Sequence, residues 1–151
     1  MPTITPFLWF ESQLEDAVEF YPSVFERAKV LSVSRMQGRV LSAEFELEGQ
    51  RFMGLNGAPT NAFTDAVSFF VGCESQQEID SYWEKLTARG GAPGRCGWLK
   101  DRFGVSWQIV PKALGGMLGG SDAARSKRVV DAMLQMDKLD LAGLQRAYDG
   151  K

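Results

Sequence analysis

The feature that most constrains the fold is a repetition: an apolar strand followed by an amphipathic helix occurs twice. Laying Phe7 on Phe69 brings Phe20-Tyr21 onto Tyr82-Trp83 and Val24 onto Leu86. Both aromatic pairs fall late in a helix that follows a strand. Self-similarity of this kind predicts a tandem repeat in which each copy supplies half of a pseudo-symmetric core.

The first copy opens with a β-rich apolar run from Ile4 to Phe10. Leu14, Ala17, Val18, Tyr21 and Val24 or Phe25 then recur at three- and four-residue spacing, the signature of a helix with one buried face. Ser12 is expected to cap it, with Glu15 completing a capping box. After an expected strand over Lys29 to Met36, the stretch from Val40 to Leu47 alternates: Ala43, Phe45 and Leu47 face one way, Ser42, Glu44 and Glu46 the other. Glu48-Gly49-Gln50-Arg51 reads as a hairpin turn into a strand over Phe52 to Asn56, so the first half is β-α-β-β-β.

The polar, Pro-containing connection from Gly57 to Asp65 leads into a strand over Val67 to Val71. A helix over Gln76 to Ala88 follows, amphipathic through Ile79, Tyr82, Trp83 and Leu86. The segment from Cys96 to Pro111 reads as strand, turn and strand, with Asp101-Arg102-Phe103-Gly104 supplying the turn chemistry. Beyond Pro111 the pattern changes. Gly115-Gly116 and Gly119-Gly120 bracket an expected loose joint, and Ser121 is placed to cap a helix carrying Val129, Val130, Met133, Leu134 and Met136. A last helix from Asp140 is expected to bury Leu141, Leu144 and Tyr148. These helices have no place in a two-repeat sheet and are expected to pack on the outside of the domain or on a dimer partner.

Composition narrows the function classes. Seventeen basic against nineteen acidic residues, net charge -2, offer no overall attraction for nucleic acid or an anionic membrane. No window approaches the roughly 18 consecutive apolar residues of a membrane span, and the first residues lack a basic segment leading into an apolar one, so a cytoplasmic protein is expected. There is no histidine in the 151 residues, which excludes a Ser-His-Asp or Cys-His arrangement, and no GxxxxGK[ST] phosphate loop occurs. Cys73 and Cys96 form no CxxC and are expected to be free thiols.

Thr5-Pro6-Phe7-Leu8-Trp9-Phe10, Ala17-Val18-Glu19-Phe20-Tyr21, Phe45 to Gln50, Phe52 to Gly57, Cys96 to Pro111 and Ala132 to Met136 together resemble the PhnB-like family. That family is also labelled a 3-demethylubiquinone-9 3-methyltransferase domain, within the vicinal oxygen chelate (glyoxalase/bleomycin resistance/dioxygenase) superfamily. The resemblance implies an α+β fold of two βαβββ modules forming an open cup, commonly completed by a homodimer. On this reading residues 1–113 form the glyoxalase-like domain, with module one at about 3–56 and module two at about 66–110, and 114–151 form a helical tail.

Metal-using members of the superfamily hold a divalent ion with histidine, glutamine and glutamate side chains. Here the glutamate position reads Gln108, and the histidine positions fall near Ala66 and near Thr5 or Pro6, so no metal and no cofactor are expected. The methyltransferase label finds no GxGxxG turn to support it. Strand alternation puts Ser106 and Gln108, Phe7 and Trp9, and Ser68 and Phe70 on the inner face of the cup, and Asn56 is added as a short polar residue beside it. The expectation is a homodimer that binds a small, partly aromatic or apolar molecule with Phe7, Trp9, Asn56, Ser68, Phe70, Ser106 and Gln108. The alternatives are an enzyme, whether a metal-dependent lyase, isomerase or dioxygenase or the methyltransferase of the label, and an interaction module acting through the tail.

Overall fold

The computed structural model describes residues 1–151. Its contacts divide the chain into two units, Met1–Ala62 and Phe63–Lys151, each built on one four-stranded mixed sheet.

The first unit contains β1 (Phe7–Phe10), α1 (Leu14–Val24), β2 (Ala28–Met36), β3 (Arg39–Leu47) and β4 (Gln50–Asn56). The sheet order is β1-β4-β3-β2, with β1 parallel to β4 and the other pairs antiparallel. Strand alternation buries Leu8 and Phe10 and leaves Phe7 and Trp9 outward. The helix buries Leu14, Ala17, Phe20, Tyr21 and Val24. Tyr21 stacks on Phe45 at 5.8 Å, and Phe45 on Phe52 at 5.4 Å. Leu14 reaches the sheet where β4 carries Gly54; a Cβ there would lie 2.5 Å from Leu14 Cδ1, so the glycine permits the helix's approach. Two hairpins turn on residue pairs with positive φ, Gln37-Gly38 and Glu48-Gly49, the backbone that matches the twist of the flanking strands.

The expected cap is not the one formed. Gln13, not Ser12, precedes α1, and its side chain makes no cap hydrogen bond. Asn56 at the end of β4 does the work instead: its Oδ1 accepts the Leu14 N–H at 2.9 Å, and its Nδ2 donates to the Val40 carbonyl at 2.9 Å. A strand end beside the helix start satisfies the orphan donor from across the chain.

The second unit repeats the plan with β5 (Ser68–Cys73), α2 (Gln76–Thr87), a 3₁₀ turn over Ala88–Gly90, β6 (Ala92–Pro93), β7 (Trp98–Lys100) and β8 (Ser106–Pro111). The order is β5-β8-β7-β6, again with the first strand parallel to the last. Two βαβββ modules are therefore present. In the second, the middle strands shrink to 2 and 3 residues against 9 each in the first. Ser75 caps α2 by accepting the Glu78 N–H at 3.2 Å, while the Glu78 carboxylate accepts the Glu74 N–H at 2.8 Å.

The repeat holds with one slip. Phe10 receives the Gly57 N–H on its carbonyl as Cys73 receives that of Lys112, so the strand equivalent of Phe7 is Phe70, not Phe69. The connection from strand to helix is one residue shorter in the second module, which leaves the helical match of Val24 with Leu86 intact. Because side chains alternate, this single residue decides the face: Phe69 packs against Trp107 at 5.3 Å, whereas Phe70 points outward.

The tail comprises α3 (Ala113–Leu118), α4 (Ala123–Met133) and α5 (Leu141–Asp149). Gly115 and Gly116 lie inside α3 rather than in a joint, held by the burial of Leu114 and Met117 on either side. Asp122, not Ser121, caps α4, its carboxylate accepting the N–H groups of Ala124 and Arg125. Val110 at the end of β8 shares a core with Leu114, Met117, Val129, Leu139 and Leu144. Polar ties fasten the same region: Gln76 donates to the Leu139 carbonyl at 3.0 Å and accepts the Leu141 N–H at 2.8 Å. Cys96 N and Gly97 N donate to the carbonyls of Met136 and Asp137. No helix is long and apolar enough to cross a membrane.

Candidate ligand-binding face of the second module

One face of the β5-β8-β7-β6 sheet packs against α2 through Phe69, Trp107, Leu99 and Ile109. The other carries two rows of side chains in register. Phe70, Gln108 and Trp98 stand side by side on β5, β8 and β7; Ser68, Ser106 and Lys100 make the next row. Gln108 Nε2 donates to Ser68 Oγ at 2.9 Å, so these two side chains hold each other in place. Phe70 beside them is 62% exposed, an unusual state for a phenyl ring on a sheet face. Ser106 is 1% exposed, and its hydroxyl has no hydrogen-bond partner.

A cavity of about 460 Å³ adjoins Ser106. Trp98, Lys100, Pro93, Arg95 and Asp65 also line it. Four of the residues expected at the site, Ser68, Phe70, Ser106 and Gln108, are thus brought together on one sheet face. Trp98 and Lys100 join them although their sequence did not single them out. The signal was present in their alternation with the buried Leu99, but a strand of 3 residues is too short to declare its parity alone.

In the first module Phe7 and Trp9 lie on the face away from α1, 54% and 47% exposed, paired in register with Met53 and Leu55. Asn56 does not belong with them. It pairs with Phe10, whose side chain is buried, and both polar ends of its amide are used by Leu14 and Val40. The parity of β4 turns Asn56 towards the helix, away from the face that carries Phe7 and Trp9.

Two ionisable side chains of the second unit, Asp101 and Cys73, are buried. Asp101 is 2% exposed; Oδ1 accepts the N–H groups of Phe103 and Val105, and Oδ2 accepts the Trp107 indole N–H at 2.9 Å. Burial pushes the Cys73 thiol up to about 11, with the nearby Glu78 charge adding to the effect and Lys112 opposing it. That group stays a thiol at neutral pH.

The donor set does not fit the divalent ion used elsewhere in the superfamily. No three His, Cys, Asp or Glu side chains gather closely enough to hold a metal ion. The register neighbours of Gln108, Phe70 and Trp98, offer no lone pair to a cation, which leaves only the neutral oxygens of Gln108 and Ser68 at this point of the sheet. Nor do the residues fit S-adenosylmethionine: the turns from β1 to α1 and from β5 to α2, Glu11-Ser12-Gln13 and Glu74-Ser75, contain no glycine, and the sheets are mixed rather than doubly wound.

Paired βαβββ modules of this topology define the glyoxalase/bleomycin resistance/dioxygenase fold. The family model described as 3-demethylubiquinone-9 3-methyltransferase matches residues 2–110, and the chain belongs to this PhnB-like family. The match ends before the tail, so the likeness over Ala132 to Met136 lies outside it. Among solved structures, the PhnB protein from Bacillus cereus is 36% identical with a TM-score of 0.68, the match covering 73% of this chain and 99% of that one. Protein PA1353 from Pseudomonas aeruginosa shares the fold at 17% identity and a TM-score of 0.60, over 74% of this chain and 98% of that one. The fosfomycin resistance protein FosX from Listeria monocytogenes, solved with Mn(II) and sulfate, does so at 15% identity and 0.57, over 79% and 97%. A comparison with curated proteins gives no match.

Proposed function

We propose that the chain is a metal-free binder of a small, partly aromatic or apolar molecule, received on the sheet face of the second module. The observation that carries this reading is the Gln108–Ser68 pair, a fixed polar group set in register between Phe70 and Trp98. A few oriented polar atoms among aromatic walls are the usual composition of a small-molecule site. The oxygen of Gln108 and the hydrogen of the Ser68 hydroxyl are the groups that would orient a ligand. Phe7 and Trp9 offer a similar aromatic surface in the first module. We place the protein in the cytoplasm as a homodimer, in keeping with two free cysteines and with the habit of the fold.

The test is a metabolite panel followed by intrinsic tryptophan fluorescence. A hit is expected to lose roughly tenfold or more in affinity in Phe70→Ala, the cost of one aromatic contact, while the unfolding midpoint stays unchanged. A stoichiometric divalent ion retained by protein purified without chelators, or binding of S-adenosylmethionine, would instead support an enzyme and end this reading.

A further inference from the structure

We infer that the cavity beside β6 and β7 receives the carboxylate of a small, flat, apolar acid. This deepens the binding function proposed above and rests on it.

The argument begins with Ser106. A hydroxyl withdrawn from water and left without a partner is uncommon in a folded protein, and Ser106 lines the cavity. Its register partner across the sheet is Lys100, whose exposed ammonium enters no ion pair. Cross-strand partners bring their Cβ atoms to about 5 Å, so a hydroxyl donor and a cationic donor stand side by side. An ammonium has donors only, and the pair therefore suits a group that only accepts.

The other charges decide which acceptor. Arg95 is turned to the tail, donating to the Leu134 carbonyl at 2.7 Å and lying 3.9 Å from the Asp137 carboxylate. Asp65 lines the same cavity with a negative charge. One uncommitted cation opposed by one carboxylate favours a monoanion over the doubly charged phosphate. Trp98 stands two residues before Lys100 on the same strand face and gives the cavity an aromatic wall, with Ala92 and Pro93 of β6 adding apolar surface. The volume, about 460 Å³, admits a fused bicyclic acid.

Calorimetric titration of the full chain with 2-naphthoate and with neutral 2-naphthamide tests the assignment. The acid is expected to bind at least about tenfold more tightly, since a charge-assisted contact is roughly twice as strong as a neutral one. Lys100→Met should bring the two probes within about twofold of each other without abolishing the amide's binding. Ser106→Ala should weaken the acid by about fivefold while leaving the thermal midpoint unchanged or raised, because it removes an unpaired buried hydroxyl. Equal affinities in the unaltered protein, an acid preference that survives Lys100→Met, or no binding of either probe would overturn the inference. The Phe70→Ala panel decides the broader binding reading separately, because Phe70 does not line this cavity.

Discussion

Asp101 shows how a buried carboxylate can be committed to structure. Its two oxygens accept from Phe103 N, Val105 N and Trp107 Nε1, so the carboxylate is tied to the turn and to the strand beside it. Asp101→Ala would strand three buried donors, and the expected loss is about 3 kcal/mol in urea unfolding, with Asp101→Asn in between because its amide nitrogen meets another donor. The sequence of the turn identified Asp101 as a turn former. The bond to Trp107 was hidden, because it depends on β8 returning alongside the turn. Cys73 supplies a second check. Its folded pKa stands above the reference value of 9.0, so burial stabilises the fold in full below that pH, and the contribution is lost as pH rises towards about 11. Thermal midpoints should therefore fall across this alkaline window in the native chain more than in Cys73→Ala.

At the scale of elements, the tail is held to the second module by an apolar core and a few directed bonds. Gln76 at the start of α2 clamps the chain on both sides of Asp140, accepting from Leu141 and donating to Leu139. Lys138 pairs with Asp80 at 2.9 Å one helical turn further along, and this pairing holds the Asp80 carboxyl below its ordinary range. Gln76→Ala is expected to speed amide hydrogen exchange at Leu141 by about tenfold or more and to leave β3 and β4 unaffected, since a clamp of this kind contributes on the order of 1–2 kcal/mol locally. Helices α1, α2, α4 and α5 were legible from apolar spacing, while α3 was not. Two adjacent glycines read as a joint, yet burial of Leu114 and Met117 carries the backbone through them. The capping residues were misread at α1 and α4 for a related reason: whichever acceptor the fold brings nearest, Asn56 or Asp122, takes the orphan N–H.

For the molecule as a whole, the sequence by itself determined the two βαβββ modules, their family, and the absence of an imidazole from any site they build. Those properties follow from periodicity and composition, which are local and additive along the chain. Tertiary structure alone decided which side chains share a face. The slip that makes Phe70 rather than Phe69 the partner of Phe7, the turn of Asn56 towards α1, and the meeting of Ser106 with Lys100 and Trp98 all depend on strand parity and register. A one-residue change in a connection reverses every side chain beyond it, and only the pairing of strands distant in sequence reveals which parity the chain adopts.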